Sequence, residues 1–282
     1  MNIKSRIRQL AFRLRLEVLR VKLSVFYFHI WITKHRPKVE LERFIKRFRN
    51  KYVSCNLVRV GRDGDGGYLH PEILDRISYC YSPGVSDTVD FEKTLSEKFN
   101  IKSFMADASV EGPPIPDKNF TFIPKFLGAC SKDQFITLSD WISETLEDNC
   151  KNMILQMDIE GSEYDVLTFE DSSTLSKFST MTIEFHNLQK MFEQDFLRMV
   201  SAIFEKIYKD FSICHVHPNN CCGVASMDGI EIPCVIEVTF IRNDLIRAVY
   251  SKNPINLPHR LDSKNVEENK DIIMPNVWWK SE

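Results

Sequence analysis

Ile154-Leu155-Gln156-Met157-Asp158-Ile159-Glu160-Gly161-Ser162-Glu163-Tyr164-Asp165-Val166-Leu167 decides how the chain is read. A short apolar run stops in carboxylates, passes through a glycine and continues with helical spacing. That order is a buried strand, a tight turn and a helix start. In an open α/β sheet such a turn lies at the carboxyl edge, where ligands bind. Asp158 and Glu160 stand two residues apart, so on a continuing strand they point the same way. Glu163 and Asp165 fall in the first helical turn, where the helix dipole favours acids. By itself the stretch reads equally as a strand end with a solvated acidic helix start.

The same unit recurs on both sides. Upstream, Ile77 to Ser82 reads as a strand, Pro83-Gly84-Val85-Ser86-Asp87 as a glycine turn, and Phe91 to Phe99 as a helix. The strand Ile101 to Ala106 then ends in Asp107. An acid about twenty residues past a glycine turn is where a ribose hydroxyl is held in nucleotide-binding βα units. Phe120 to Leu127 reads as a strand ending at Gly128-Ala129, and Phe135 to Leu146 as a helix. Downstream, Met181 to Asn187 is a fifth strand and Phe192 to Tyr208 a long amphipathic helix. Ser212 to Asn220 and Ile232 to Arg242 form an antiparallel pair, joined through Gly223, Asp228 and Gly229. The loop Gly61-Arg62-Asp63-Gly64-Asp65-Gly66-Gly67 is a backbone approach to a ligand or an Asp-Gly hairpin turn. No Lys-Ser/Thr follows it, so it is not a P-loop. Three segments follow: a helical extension over 1–50, a main domain over 51–250, and an irregular, proline-punctuated tail over 251–282.

The 282 residues carry a formal net charge of −2, with 43% hydrophobic and 27% charged residues, as in folded soluble proteins. The charge is uneven. The first fifty residues hold fourteen Lys/Arg against three Asp/Glu. Ile3, Ile7, Leu10, Ala11, Leu14, Val18, Val21 and Val25 recur there at helical spacing. Three readings stand for this head: an interfacial helix on anionic lipid, a helix packed on the domain or on a second subunit, and a short membrane anchor. The apolar run from Leu23 to Thr33 is short for a bilayer, and no small-residue cleavage site follows. Nucleic acid is disfavoured as a partner, because the apolar stripe would face water. The eight cysteines show no CxxC pair and no zinc spacing, which suits free thiols in a reducing, cytoplasmic setting, peripheral to a membrane.

Five β/α units followed by a β-hairpin resemble the class I S-adenosylmethionine-dependent methyltransferases. More closely, the chain resembles the FkbM-type methyltransferase family. The resemblance rests on Tyr81-Ser82-Pro83-Gly84-Val85-Ser86-Asp87 with Phe91-Glu92, on Gln156 to Glu163, on Ile183-Glu184-Phe185-His186, on Gly64 to Tyr68, and on His215 to Asn220. It spans roughly residues 57–245, and the turn at Gly84 departs from the fuller glycine pattern of the wider class. It implies a Rossmann-like α/β fold: a mostly parallel seven-stranded sheet with a C-terminal antiparallel hairpin, here with an N-terminal helical extension. It implies S-adenosyl-L-methionine as cofactor, with Gly84 and Asp87 in the cradling turn, Asp107 on the ribose, Gly128 and Ala129 near the adenine, and Asp158 toward the methionyl amino group or the acceptor. The acceptor would be a hydroxyl on a small molecule, glycan or glycolipid. His186 suits removal of its proton, since a neutral imidazole is available near pH 7, with Asp158 and Glu160 as alternatives. Asp158, Glu184, His186 and His215 form a divalent-metal set that no tight ligand spacing supports. Two other functions remain: a non-catalytic binding or scaffold protein on the same fold, and a nucleic-acid methyltransferase.

Overall fold

A computed structural model describes residues 38–146 and 150–280, with Phe12, Leu14 and Leu16 as isolated helical positions before them. The rest of the basic head, including Leu23 to Thr33, lies outside the described residues.

The chain's apolar runs become the centre of one seven-stranded sheet. Its strands are β3 (Tyr79–Pro83), β4 (Lys102–Ala106), β5 (Phe120–Ile123), β8 (Met153–Met157), β9 (Phe178–Phe185), β10 (Phe211–Pro218) and β13 (Ile236–Arg242). Their spatial order is β10-β13-β9-β8-β3-β4-β5. From β5 to β9 every pairing is parallel, and β13 runs antiparallel to both its neighbours. This is the mostly parallel sheet with a reversed C-terminal strand that the sequence implied. Every residue of Met153–Met157 is buried, as a central parallel strand requires. Alternate residues go to opposite faces. Tyr81 and Leu155 join the larger apolar cluster, while Cys80 and Ile154 join a separate one.

Helices cover both faces. Helix α1 (Lys38–Arg49) buries Leu41, Phe44, Ile45 and Phe48. Helix α2 (Asp90–Phe99) buries Phe91 and Leu95 on the other face. The remaining helices are α3 (Leu138–Thr145), α4 (Glu163–Phe169), α5 (Ser172–Leu175), α6 (Gln194–Ile207) and α7 (Ile246–Val249). Phe44 meets Phe204 of α6 edge-on at 5.4 Å, and Phe48 meets Trp278 of the tail at 5.3 Å. Arg47 adds an ion pair to Glu205 at 2.7 Å. Helix α1 therefore packs on the body although it lies within the basic first fifty residues. Among the described residues, no helix is long and apolar enough to cross a membrane.

Several boundaries differ from the sequence reading. The expected strand 120–127 is two strands: after Ile123 the chain turns at Pro124-Lys125, and β6 (Phe126–Leu127) pairs with β7 (Phe135–Ile136). The expected helix therefore starts only at Leu138. Its N-cap is Thr137, whose hydroxyl accepts the Asp140 N–H. The last strand was read as continuous from Ile232. Instead Pro233 ends a small hairpin of β11 (Val224–Met227) and β12 (Ile230–Pro233), and the sheet strand begins at Ile236. The glycine loop is the hairpin turn of the two readings. It closes the antiparallel pair β1 (Leu57–Val60) and β2 (Tyr68–Pro71), and its Asp65 and Gly66 form part of a cleft wall.

Candidate active site

The carboxyl ends of β3, β4 and β8 open into a cleft of about 540 Å³. Gly84, at the end of β3, has φ of +84°, and a Cβ there would lie 1.7 Å from the Asp158 carbonyl oxygen. Two turns are thus in backbone contact, which only glycine permits. Asp107, at the end of β4, is buried. Its carboxylate accepts the Ser86 N–H at 3.0 Å, the Ser109 N–H at 2.7 Å and the Ser109 hydroxyl at 2.6 Å. It pins the Gly84 turn while still lining the cleft. Asp87 stands exposed at the rim.

The apolar wall is made by Phe126, Leu127 and Phe135. Gly128 and Ala129, expected there, do not line the cleft. Gly128 lies behind the wall, where a Cβ would meet the Phe135 ring at 2.8 Å. The short strand pair β6–β7 brings the phenylalanines forward instead.

At the far end sits a charged cluster. Glu163, fully buried, accepts N–H groups from Gly161 at 3.0 Å and Ile159 at 3.3 Å, and pairs with His186 Nδ1 at 3.0 Å. Neighbouring Tyr164 donates its hydroxyl to the His186 carbonyl at 2.5 Å. The first two residues of α4 thus fix His186, and its Nε2 faces three more carboxylates. Glu160 Oε2 is 3.5 Å away, and Asp158 Oδ1 and Glu184 Oε1 are each 3.8 Å away. Burial opposes charge on His186, but the Glu163 hydrogen bond and the surrounding carboxylates outweigh it and raise its pKa. Burial pushes Asp158 up to about 7, against the pull of His186. Glu184 is driven well above the usual carboxylate range by burial and then by Asp158.

Asp158, Glu160 and His186 therefore meet, though not by strand alternation. The strand ends at Met157, and Glu160 takes a left-handed φ of +56° that turns it to solvent. Of these three, Asp158 and Glu160 line the cleft, and His186 stands behind them. His215 is not in this group. It bonds Asp262 of the tail at 2.8 Å, and with His217 it anchors that segment over β10. No pattern in the local sequence marks where a tail acid will land.

Two participants were missed. Glu163 read as an ordinary first-turn acid, and its spacing does not distinguish it from exposed Asp165. Glu92 was quoted only as part of a motif. It is buried, lines the cleft and shares a short hydrogen bond with Ser82, whose hydroxyl also reaches Gln156 Oε1 at 2.6 Å. Ser82 has one proton to give, so a neutral Glu92 donating to Ser82 completes the chain. Burial raises Glu92 to about 7 in agreement. A carboxyl raised on folding stabilises the fold fully below its unfolded pKa, and that contribution disappears as pH rises through about 7. Glu92→Gln is therefore expected to raise the melting temperature at pH 8 relative to wild type and to flatten its decline between pH 5 and 8. Parallel melting curves for the two proteins across that range would contradict this.

Sheet order, glycine turn and acid-ended strands make a Rossmann-like α/β fold. Residues 105–243 match the family model described as the methyltransferase FkbM domain. No curated protein matches the chain. Among solved structures it is similar to a fibrillarin/Nop5p complex, at 9% identity over 67% of this chain and 94% of that one, with a TM-score of 0.35. It is similar to the plantazolicin methyltransferase BpumL in complex with SAH, at 9% identity, 59% and 76% coverage and a TM-score of 0.29. It is also similar to the N-terminal domain of EvdMO1 in the presence of SAH and D-fucose, at 9% identity, 74% and 97% coverage and a TM-score of 0.30. These likenesses are too distant to speak of function.

Proposed function

We propose that this chain is an S-adenosylmethionine-dependent O-methyltransferase that acts on a hydroxyl of a neutral sugar, in a glycan or glycolipid. The observation that carries the reading is the Glu163-braced carboxylate–imidazole cluster at the end of a cleft already fitted for a nucleoside. The residues suit the cofactor: Gly84 lines the cleft and lets its turn close against the Asp158 turn, Asp107 offers a carboxylate at the ribose position, and Phe126 and Phe135 offer faces to a base. When bound, S-adenosylmethionine supplies an electrophilic methyl on a sulfonium, displaced in line by a nucleophile. Asp158 and Glu160 accept hydrogen bonds from the acceptor's hydroxyls and orient one of them. Asp158 and Glu160, which both face the cleft, are the carboxylates placed to take that hydroxyl's proton, with His186 Nε2 within 3.8 Å of each. A cleft edge of several carboxylates favours an uncharged polyol and repels phosphate-rich nucleic acid. A scaffold role has no observation in its favour, since a half-buried, braced histidine facing carboxylates is costly to keep without use.

The reaction is tested with S-adenosylmethionine labelled in its methyl group and neutral glycans or glycolipids as acceptors. Label that survives alkali is a methyl ether and supports the reading. Label that alkali removes is an ester, and that result sinks it. We place the basic head at an anionic membrane surface, where a glycolipid acceptor would be presented. In flotation with anionic liposomes the full chain is expected to float and a chain beginning at Lys38 to stay down. Equal behaviour would remove the membrane assignment.

A further inference from the structure

We infer that Asp158, Glu184 and His186 bind a divalent cation, Mn²⁺ or an ion of similar chemistry, which holds the acceptor hydroxyl; the inference rests on the methyl-transfer reading for its role but not for its binding. One ligand atom from each of the three residues falls within 4.8 Å of the other two. Donors about 2.1 Å from an ion stand about 3 to 4.2 Å apart, and the two 3.8 Å separations from His186 Nε2 fall inside that range. Glu184 is 3% exposed. Its Oε1 accepts the Asn219 amide at 2.8 Å, and its Oε2 has no hydrogen-bond partner. Asp158 Oδ1 is likewise buried without a hydrogen-bond partner. Buried carboxylate oxygens are rarely left bare, and a cation between the two carboxylates offsets that cost for the pair.

The second layer has the matching form. Glu163 holds His186 Nδ1 at 3.0 Å and directs Nε2 inward, the carboxylate–histidine arrangement that orients metal ligands. Two carboxylates make an oxygen-rich set that suits Mn²⁺, and the added imidazole leans toward a transition ion rather than Mg²⁺ or Ca²⁺. Asp158 lines the cleft, so an ion held there would be within reach of an acceptor bound in it. A hydroxyl on the ion becomes more acidic. With Asp158 and His186 committed to the ion, exposed Glu160 takes the proton. The acceptor oxygen then forms its bond to the methyl carbon as the carbon–sulfur bond breaks, and that bond's electron pair stays on sulfur.

The test is titration of the chelator-stripped full chain with MnCl₂, following free Mn²⁺ by electron paramagnetic resonance, alongside calorimetry with S-adenosylhomocysteine. Wild type is expected to bind one Mn²⁺ per chain. Glu184→Gln and Asp158→Asn are expected to weaken it by at least about tenfold, Asp158→Asn serving if the buried variant fails to fold. Asp107→Asn is expected to keep the ion and lose the nucleoside. Wild type that binds S-adenosylhomocysteine but no Mn²⁺, or variants that bind Mn²⁺ as wild type does, would overturn the ion and show that the carboxylates share protons instead. Mn²⁺ bound without S-adenosylhomocysteine would uphold the ion and remove the methyl-transfer reading.

Discussion

Asp158→Asn is expected to lower kcat for methyl transfer by about 10²- to 10⁴-fold, the range for removing a positioned acid or base. Asp158 is the half-buried member of the cluster that reaches the cleft, and desolvation lifts it to about 7. The amide keeps the shape and the hydrogen-bonding reach but can neither take a proton nor ligate an ion strongly. Binding of S-adenosylhomocysteine should change by no more than a few-fold, since Gly84 and Asp107 are untouched. That pairing separates lost chemistry from a lost fold. Activity within about fivefold of wild type would show that the cluster does not handle the proton. Glu163→Gln should give a smaller loss in the same direction, because it touches His186 rather than the cleft.

Gly84→Ala is expected to cost about 2–5 kcal/mol of stability and to abolish cofactor binding. Two terms add. An L-residue at φ of +84° is strained by about 1–2 kcal/mol. The new methyl would also lie 1.7 Å from the Asp158 carbonyl oxygen, and forcing apart packed groups costs about 1–3 kcal/mol more. Separating the turns displaces both Asp158 and the Ser86 N–H that Asp107 holds. Gly112→Ala is the control: nothing lies within 4 Å of its Cβ, so its effect should stay within about 0.5 kcal/mol. Urea unfolding of the three proteins measures both expectations. A Gly84→Ala protein as stable as the control would mean that the two turns are not in contact.

The fold was legible because the central strands are buried on both faces. Met153–Met157 and its neighbours appear as mainly apolar runs, and each ends in a turn residue or an acid. The FkbM resemblance rested on these same strand ends. What failed to show was decided by partners distant in sequence. Phe126 left its strand to pair with Phe135, and only that pairing puts their rings on the cleft wall. His215 carries the same chemistry as His186, yet the tail's Asp262 claims it. Glu163 and Asp165 are equivalent by spacing, and only the close contact of α4 with the Gly161 turn buries the first and leaves the second in water. Strand ends can be read from local pattern, whereas the partner that each polar group finds there cannot.

The central claim is that the Gly84–Asp107 cleft holds the nucleoside of S-adenosylmethionine. Isothermal titration of wild type and Asp107→Ala with S-adenosylhomocysteine tests it most directly. Wild type should bind one molecule per chain. Asp107→Ala should bind about 10- to 100-fold more weakly, as expected for loss of charged hydrogen bonds worth about 1.5–3 kcal/mol. No binding to wild type, or equal binding to both proteins, would contradict the account.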